Sequence, residues 1–169
     1  TKKTNELYAQ VFADVYGIRL MGFRYFIIFG PRQDPDGAYA AVIPLFVKSI
    51  MKEIPAFING DGEQTRDFTF VDNAVQINIK GMLTDNPEAL GKVYNVAIGE
   101  NFTVNYLYQA CLDRLNSTFP AQYREPRAGD IRNSLADISL AKKLLGYQPT
   151  KRFEDGLAET IDFFKNKYA

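Results

Sequence analysis

Strand-like and helix-like segments alternate along the chain, and this alternation limits the fold more than any other feature. β-branched and aromatic residues dominate the segment that ends at Gly30-Pro31, as in a buried strand. Apolar residues three and four positions apart, such as Ile43, Val47 and Ile50, predict helices between the strands. We predict strands over residues 18–29, 56–59, 67–71 and 92–97, and helices over 1–16, 40–53, 72–83, 103–115, 139–145 and 153–167. The pattern favours an α/β fold with mostly parallel strands.

Length and composition exclude several classes of protein. The 169 residues fit one domain, residues 1–169, that can bury its own core. Basic and acidic side chains both number 20, so no net charge attracts nucleic acid or a membrane surface. The chain has no histidine, so we expect no metal site and no histidine-based catalysis. A single cysteine, Cys111, fits a reducing cytoplasm, and no apolar stretch is long enough to cross a bilayer.

The beginnings of two predicted helices differ. Asp72 is placed to cap the helix whose apolar residues run from Val75 to Leu83. The stripe from Leu7 to Val15 has no cap or turn before it. We therefore expect residue 1 to lie inside a helix that begins in a longer chain.

The glycine loop that cradles dinucleotide phosphates is absent from the sequence. No Gly-x-Gly-x-x-Gly follows a predicted strand. Gly60-Asp61-Gly62 precedes a strand and not a helix, so we interpret it as a turn. A complete dinucleotide site is therefore not expected within these residues.

Three polar clusters are candidates for a binding site. Loop 30–44 follows the end of a predicted strand, where ligands bind in parallel α/β sheets. Residues 57–68 offer Phe57 and Asn59 for a flat base and Arg66 for phosphate oxygens. Residues 124–132 hold three arginines and Asp130 in a loop with proline and glycine. Each cluster alone could be an ordinary surface, where an ion pair contributes only about 0–1 kcal/mol. Together they match the needs of a nucleotide diphosphate.

Several ordered motifs at these positions resemble one known family. The chain is similar to the extended short-chain dehydrogenases/reductases, and within them to UDP-N-acetylhexosamine and UDP-glucose 4-epimerases. The matching strings are Arg24-Tyr25-Phe26, Phe29 to Pro35, Ala38 to Pro44, Ile58 to Gly62, Arg66-Asp67-Phe68, Tyr94-Asn95-Val96 and Arg127 to Asp130. The resemblance covers essentially the whole chain. It implies the C-terminal, substrate-binding part of a Rossmann-like enzyme, without the N-terminal dinucleotide-binding half.

The resemblance implies an NAD-dependent reaction. Residues 1–16 resemble the tail of a helix with a Tyr-x-x-x-Lys pair, in which Lys2 is the lysine and the tyrosine precedes residue 1. An ammonium four residues away lowers the phenol pKa, so that the tyrosine can act as a base. NAD accepts hydride from sugar C4 and returns it to the other face of the 4-keto sugar. Phe26 would lie against the nicotinamide.

The resemblance also assigns roles toward a UDP-sugar. The substrate is UDP-GlcNAc/UDP-GalNAc or UDP-Glc/UDP-Gal. Phe57 and Asn59 would hold the uracil, and Asp130 the uridine ribose. The remaining roles go to Arg66 and Arg127 at the diphosphate, the backbone of Ala41 and Val42 at the nucleotide, and Gln33 near the sugar. One departure is Ile27, where the family usually has an asparagine that hydrogen-bonds the substrate.

Three alternatives remain open from the sequence. A nucleotide-sugar 4,6-dehydratase or decarboxylase of the same family begins with the same oxidation. A non-catalytic UDP-sugar-binding module would need no redox half. The first helix of the family helps to form a homodimer, so an interaction protein is a third possibility. The residues present predict that this chain alone is inactive.

Overall fold

The computed structural model describes residues 2–37 and 41–168 of the chain. The helices are α1 (Lys2–Tyr16), α2 (Val42–Lys52), α3 (Val71–Leu83), α4 (Val104–Leu115), α5 (Ser139–Leu145) and α6 (Phe153–Tyr168). The strands are β1 (Gly22–Tyr25), β2 (Ile27–Phe29), β3 (Phe57–Asn59), β4 (Thr65–Arg66), β5 (Phe68–Phe70), β6 (Val93–Val96), β7 (Phe102–Thr103) and β8 (Gln122–Arg124). The predicted α/β arrangement is confirmed. Of the predicted motif 38–44, residues 38–40 lie outside the described residues.

The strands pair two by two and mostly in parallel. β1 pairs with β6, β2 with β5, and β3 with β8, all in parallel, whereas β4 and β7 are antiparallel. The prediction of one long strand over residues 18–29 is wrong. The strand divides at Phe26, whose N–H still donates to Val96 O at 3.1 Å, and the two halves take different partners. This division brings the ends of β1 and β2 to two separate strand pairs.

Two clusters of buried apolar residues join the helices to the strand pairs. In the first, the fully buried Phe153 at the start of α6 packs against the rings of Phe29, Phe68 and Phe102. In the second, Tyr147 is fully buried and donates its hydroxyl proton to Ala97 O at 3.0 Å. Burying a large aromatic side chain contributes about 1.5–3 kcal/mol, so each of these rings adds appreciably to the stability of the fold.

Two helices expose their apolar stripes. No described residue of α1 is buried, and Leu7 and Val15 are more than half exposed. A bidentate ion pair links α1 to β1, with Arg24 Nε and Nη2 at 2.6 and 2.7 Å from the carboxylate of Glu6. On α3 the predicted stripe from Val75 to Leu83 faces outward. Among the described residues, no helix is both long and apolar enough to cross a membrane.

The predicted capping role of Asp72 is wrong. The cap position of α3 is Phe70, the last residue of β5, and its backbone is extended. Asp72 instead lies in the first turn, because the strand runs directly into the helix. A carboxylate there still favours the helix through its dipole.

Candidate functional site

The loop that follows β8 lies against the Gly60-Asp61-Gly62 turn and β4. Arg132 donates two hydrogen bonds to the carboxylate of Asp61, at 2.6 and 2.9 Å. The backbone N–H of Thr65 donates to Arg132 O at 2.8 Å, and Ser134 N–H donates to Thr65 O at 3.2 Å. The predicted turn and the arginine-rich segment therefore form one structure.

Arg66 and Asp130 form an ion pair at the centre of this structure. The Arg66 side chain is only 15% exposed, and its Nη2 donates to Asp130. Its Nη1 donates to the backbone oxygens of Thr65 and Ile131, at 2.7 and 2.6 Å. Backbone contacts on two segments fix the plane of the guanidinium. The directions of its remaining N–H donors are therefore fixed as well.

Asp67, the residue after Arg66, lies in the protein interior. Its carboxylate is fully buried and accepts hydrogen bonds from the N–H groups of Ile98 and Gly99, at 3.1 and 3.0 Å. Burial raises the pKa of this carboxyl, while the backbone donors partly oppose the increase. The contacts connect the residue between β4 and β5 to the segment after β6.

Asp61 is the most strongly shifted carboxyl of the candidate site. The hydrogen bonds from Arg132, with a smaller contribution from the Glu63 N–H, lower the pKa of Asp61 to about 2. The group is therefore ionised at neutral pH and stays bound to Arg132. Both side chains of this ion pair are more than half exposed, so the pair only adds to the backbone hydrogen bonds of Thr65 that hold the arginine-rich loop against the turn.

Two cavities meet at Asp130. The first, of about 560 Å³, lies between the turn and the loop after β8. Its lining includes Asn59, Arg124, Arg127, Asp130 and Arg132. The second, of about 490 Å³, is lined by Tyr25, Phe26, Ile27, Arg66, Gly129, Asp130, Ile131 and Ser134. Because Asp130 and Ile131 line both, the two cavities form one continuous surface region.

The structure brings most of the predicted residues to this region. Asn59, Arg127 and Asp130 line the first cavity, whereas Phe26 and Arg66 line the second together with Asp130. Ile27, at the position where the resemblance leads one to expect asparagine, is an apolar part of the second wall. The region thus combines cationic, acidic and apolar surfaces.

Phe57 joins the region through Arg124. The ring of Phe57 is 46% exposed, and the guanidinium carbon of Arg124 lies 5.0 Å from its centroid. Such a distance corresponds to a cation–π contact. Phe57 therefore adjoins the first cavity, which Arg124 lines.

Four predicted residues lie elsewhere or beside the region. Ala41 is the cap residue of α2 and Val42 begins that helix. Gln33 donates from Nε2 to Ile28 O at 3.3 Å, and its buried Oε1 has no hydrogen-bond partner among the described residues. Lys2 lines a different groove, of about 650 Å³, between α1 and β1. Tyr25 lines both that groove and the second cavity, so the two are adjacent.

Two arginines of the candidate cluster 124–132 had no individual role in the prediction. Arg132 closes the turn and Arg124 contacts both Phe57 and Asn59. The cluster of three arginines was a signal for their location, but the strand register that places Arg124 opposite Asn59 was not visible. No group of residues suited to a metal ion is present in the parts of the chain that the structure describes.

Comparisons with known proteins show the family to which the chain is related. Residues 1–97 match the NAD dependent epimerase/dehydratase family. The UDP-glucose 4-epimerase of Mycolicibacterium smegmatis is 31% identical to this chain, over 98% of the chain and 52% of its own length.

Two solved structures extend the comparison to the fold. The UDP-glucose 4-epimerase of Thermotoga maritima, solved with UDP-glucose, has a TM-score of 0.93 and 33% identity, covering 99% of this chain and 53% of that one. A UDP-N-acetylglucosamine 4-epimerase from Methanobrevibacter ruminantium, in complex with UDP-N-acetylmuramic acid, has a TM-score of 0.90 and 40% identity, covering 98% and 52%. The chain spans about half the length of these relatives. It belongs to the NAD dependent epimerase/dehydratase family.

Proposed function

We propose that this chain is the nucleotide-sugar-binding half of a UDP-hexose 4-epimerase. One observation carries the proposal: Asp130 lines both cavities and binds Arg66, so that a phosphate-binding arginine and a ribose-binding carboxylate lie side by side. The relatives with bound UDP-sugars support the same ligand class. The substrate would be UDP-GlcNAc/UDP-GalNAc or UDP-Glc/UDP-Gal.

In the proposed site, the nucleotide is bound tightly and the sugar weakly. Arg66 and Arg127 bind the diphosphate, and Asp130 accepts hydrogen bonds from the ribose. Phe57 and Asn59 hold the uracil beside the first cavity. The 4-keto sugar must rotate within the site of an epimerase, so the enzyme has to bind the nucleotide tightly and the sugar weakly. The backbone of Ala41 and Val42, and Gln33 nearer the sugar, complete the proposed contacts.

The residues present fit one end of an NAD molecule. Phe26 offers an aromatic surface in the second cavity, and Lys2 lies in the adjacent groove. When bound, NAD supplies the hydride acceptor and donor for carbon 4 of the sugar. Lys2 would hold its ammonium near the reacting hydroxyl and lower the pKa of a neighbouring phenol. No glycine-rich phosphate cradle follows a strand in this sequence, so the pyrophosphate of NAD would need other polypeptide.

The exposed surfaces of α1 and β1 are suited to contact that other polypeptide. β1 pairs with β6 on one side and, among the described strands, with none on the other. Parallel strands are normally covered on both faces and continued at their edges. We place the redox half here, and we propose that α1 also contributes to a homodimer of the whole protein.

Calorimetric titration of this chain tests the proposal. We expect UDP and the four candidate UDP-sugars to bind with similar affinity, and dTDP-glucose to bind more weakly. We expect no epimerisation of any of them, even with added NAD. Absence of UDP binding by the folded chain would refute the proposed site, and turnover by the chain alone would refute the assignment of the redox half to other polypeptide.

A further inference from the structure

Arg124 contacts both residues that the proposed function places at the base. Its Nε donates a hydrogen bond to Asn59 Oδ1 at 2.7 Å, and its guanidinium covers the ring of Phe57. The parallel pairing of β3 with β8 puts Arg124 directly opposite Asn59. The N–H of Gly60 donates to Arg124 O at 2.8 Å and fixes the register. The register therefore places the two side chains beside each other on the same face of the strand pair.

The hydrogen bond determines which way the Asn59 amide points. An arginine side chain has only N–H donors and no acceptor, so it must face the oxygen of the amide and not its nitrogen. Oδ1 of Asn59 is therefore held toward Arg124, and Nδ2 points away from it. Oδ1 keeps a second lone pair that can accept another hydrogen bond. Among the described residues, none accepts a hydrogen bond from Nδ2. Both amide atoms are thus available to a ligand in one fixed order.

We infer that Arg124 makes this site selective for uracil over cytosine, an inference that rests on the proposed function. Along one edge, the pair presents a donor from the Arg124 guanidinium, an acceptor at Asn59 Oδ1 and a donor at Nδ2. Uracil presents the complementary order, with acceptor O2, donor N3–H and acceptor O4. Three hydrogen bonds form at once, while the part of the Phe57 ring that stays exposed beside Arg124 supports the flat base.

Cytosine fails in the same position. Its N3 is an acceptor that would face Oδ1, and its 4-amino group is a donor that would face Nδ2. Binding it would require the amide of Asn59 to turn over, which would set two donors, Nδ2 and Arg124 Nε, against each other. A site whose polar groups are left unpaired rejects the wrong ligand strongly.

The test compares UDP with CDP in calorimetric titrations of the whole chain. For the wild-type chain we expect UDP to bind at least about 30-fold more tightly than CDP, from two mismatched hydrogen-bonding groups. Arg124→Met keeps the length of the side chain and removes its donors, so the preference should fall below about 5-fold. The matched control is Arg127→Met in the same loop, which removes the same charge from the proposed diphosphate contact. It should weaken UDP and CDP equally and leave the preference unchanged.

The outcomes separate this inference from the proposed function. Equal binding of UDP and CDP by the wild-type chain would overturn the inference alone, as would an unchanged preference in Arg124→Met. A wild-type chain that binds no UDP would overturn the proposed function and the inference together. Because Arg124 is exposed on the short strand β8, we expect an unchanged melting temperature in the variant. Should Arg124→Met fail to fold, Arg124→Leu provides the same comparison, since leucine also lacks any N–H donor in its side chain.

Discussion

Replacing Arg66 with lysine tests the proposed diphosphate contact most directly. Arg66 has five N–H donors, of which Nη1 serves two backbone oxygens and Nη2 serves Asp130. The remaining donors, and the one now bound to Asp130, are available to phosphate oxygens. A lysine has a single ammonium on a more flexible stem and cannot keep both backbone contacts while it binds phosphate.

The expected loss follows from the number of charged hydrogen bonds. Each bond to a charged group contributes about 1.5–3 kcal/mol, and the lysine should lose about one of them. The affinity for UDP should then fall roughly 10- to 150-fold, since 1.4 kcal/mol is tenfold. Uridine, which has no phosphate, should bind within about twofold of wild type, because Arg66 does not reach the base in the proposed pose.

Isothermal titration of wild type, Arg66→Lys and a control variant with UDP and with uridine provides the measurement. Arg114→Lys is the matched control: Arg114 also donates to a carboxylate, that of Asp162, but it lines neither cavity. It should change neither affinity. An equal loss of UDP and uridine binding in Arg66→Lys, or no loss of either, would refute the assignment of Arg66 to the diphosphate.

Four further predictions concern the acidic residues and the core. Asp130→Asn should weaken uridine binding but raise the affinity for pyrophosphate about 2- to 5-fold in titrations, because the carboxylate no longer competes for Arg66. The contact with Arg132 lowers the pKa of Asp61 and so stabilises the folded state. This contribution is fully present above about pH 5 and is lost as the pH falls from about 4 to 2. Urea unfolding of Asp61→Asn should accordingly depend less on pH in that window than wild type. Phe153→Ala should reduce the free energy of unfolding by about 3–5 kcal/mol in urea, since the ring is fully buried among other aromatic rings. Gly156→Ala should cost about 1–3 kcal/mol in the same assay, because the added Cβ would lie 2.6 Å from the Phe70 ring; an unchanged value would show that α6 can move away.

Local sequence patterns predicted the helices well. The helix predicted over 103–115 is α4, Val104–Leu115, and the one predicted over 153–167 is α6, Phe153–Tyr168. Each is long and carries a regular apolar stripe that faces the core. Helical periodicity is a local property, so no knowledge of distant residues was required.

The strand break at Phe26 was beyond the reach of such patterns. Residues on both sides of it are aromatic or β-branched, so the sequence is continuous where the structure is not. The break depends on the partners: β1 pairs with β6 and β2 with β5, both distant in sequence. The exposed stripe on α3 escaped prediction for a related reason, since periodicity shows that a helix has an apolar face but not what covers it.

The candidate site was predicted in its chemistry but not in its connections. Residue types alone indicated that Arg66, Arg127 and Asp130 suit a nucleotide diphosphate. That Arg66 binds Asp130, 64 positions away, depends on the parallel register and on the fold of the intervening chain. The roles proposed for these residues stay predictions until ligands are measured.

The contact between Arg132 and Asp61 joins segments that are 71 positions apart. Five strands and two α-helices lie between them: β4, β5, α3, β6, β7, α4 and β8. A nucleotide bound there would therefore link two segments separated by almost half of the polypeptide. Saturation at 100 times the dissociation constant would add about 2.7 kcal/mol to the stability of that whole enclosed stretch. Slower amide exchange should then extend to helices that never touch the nucleotide.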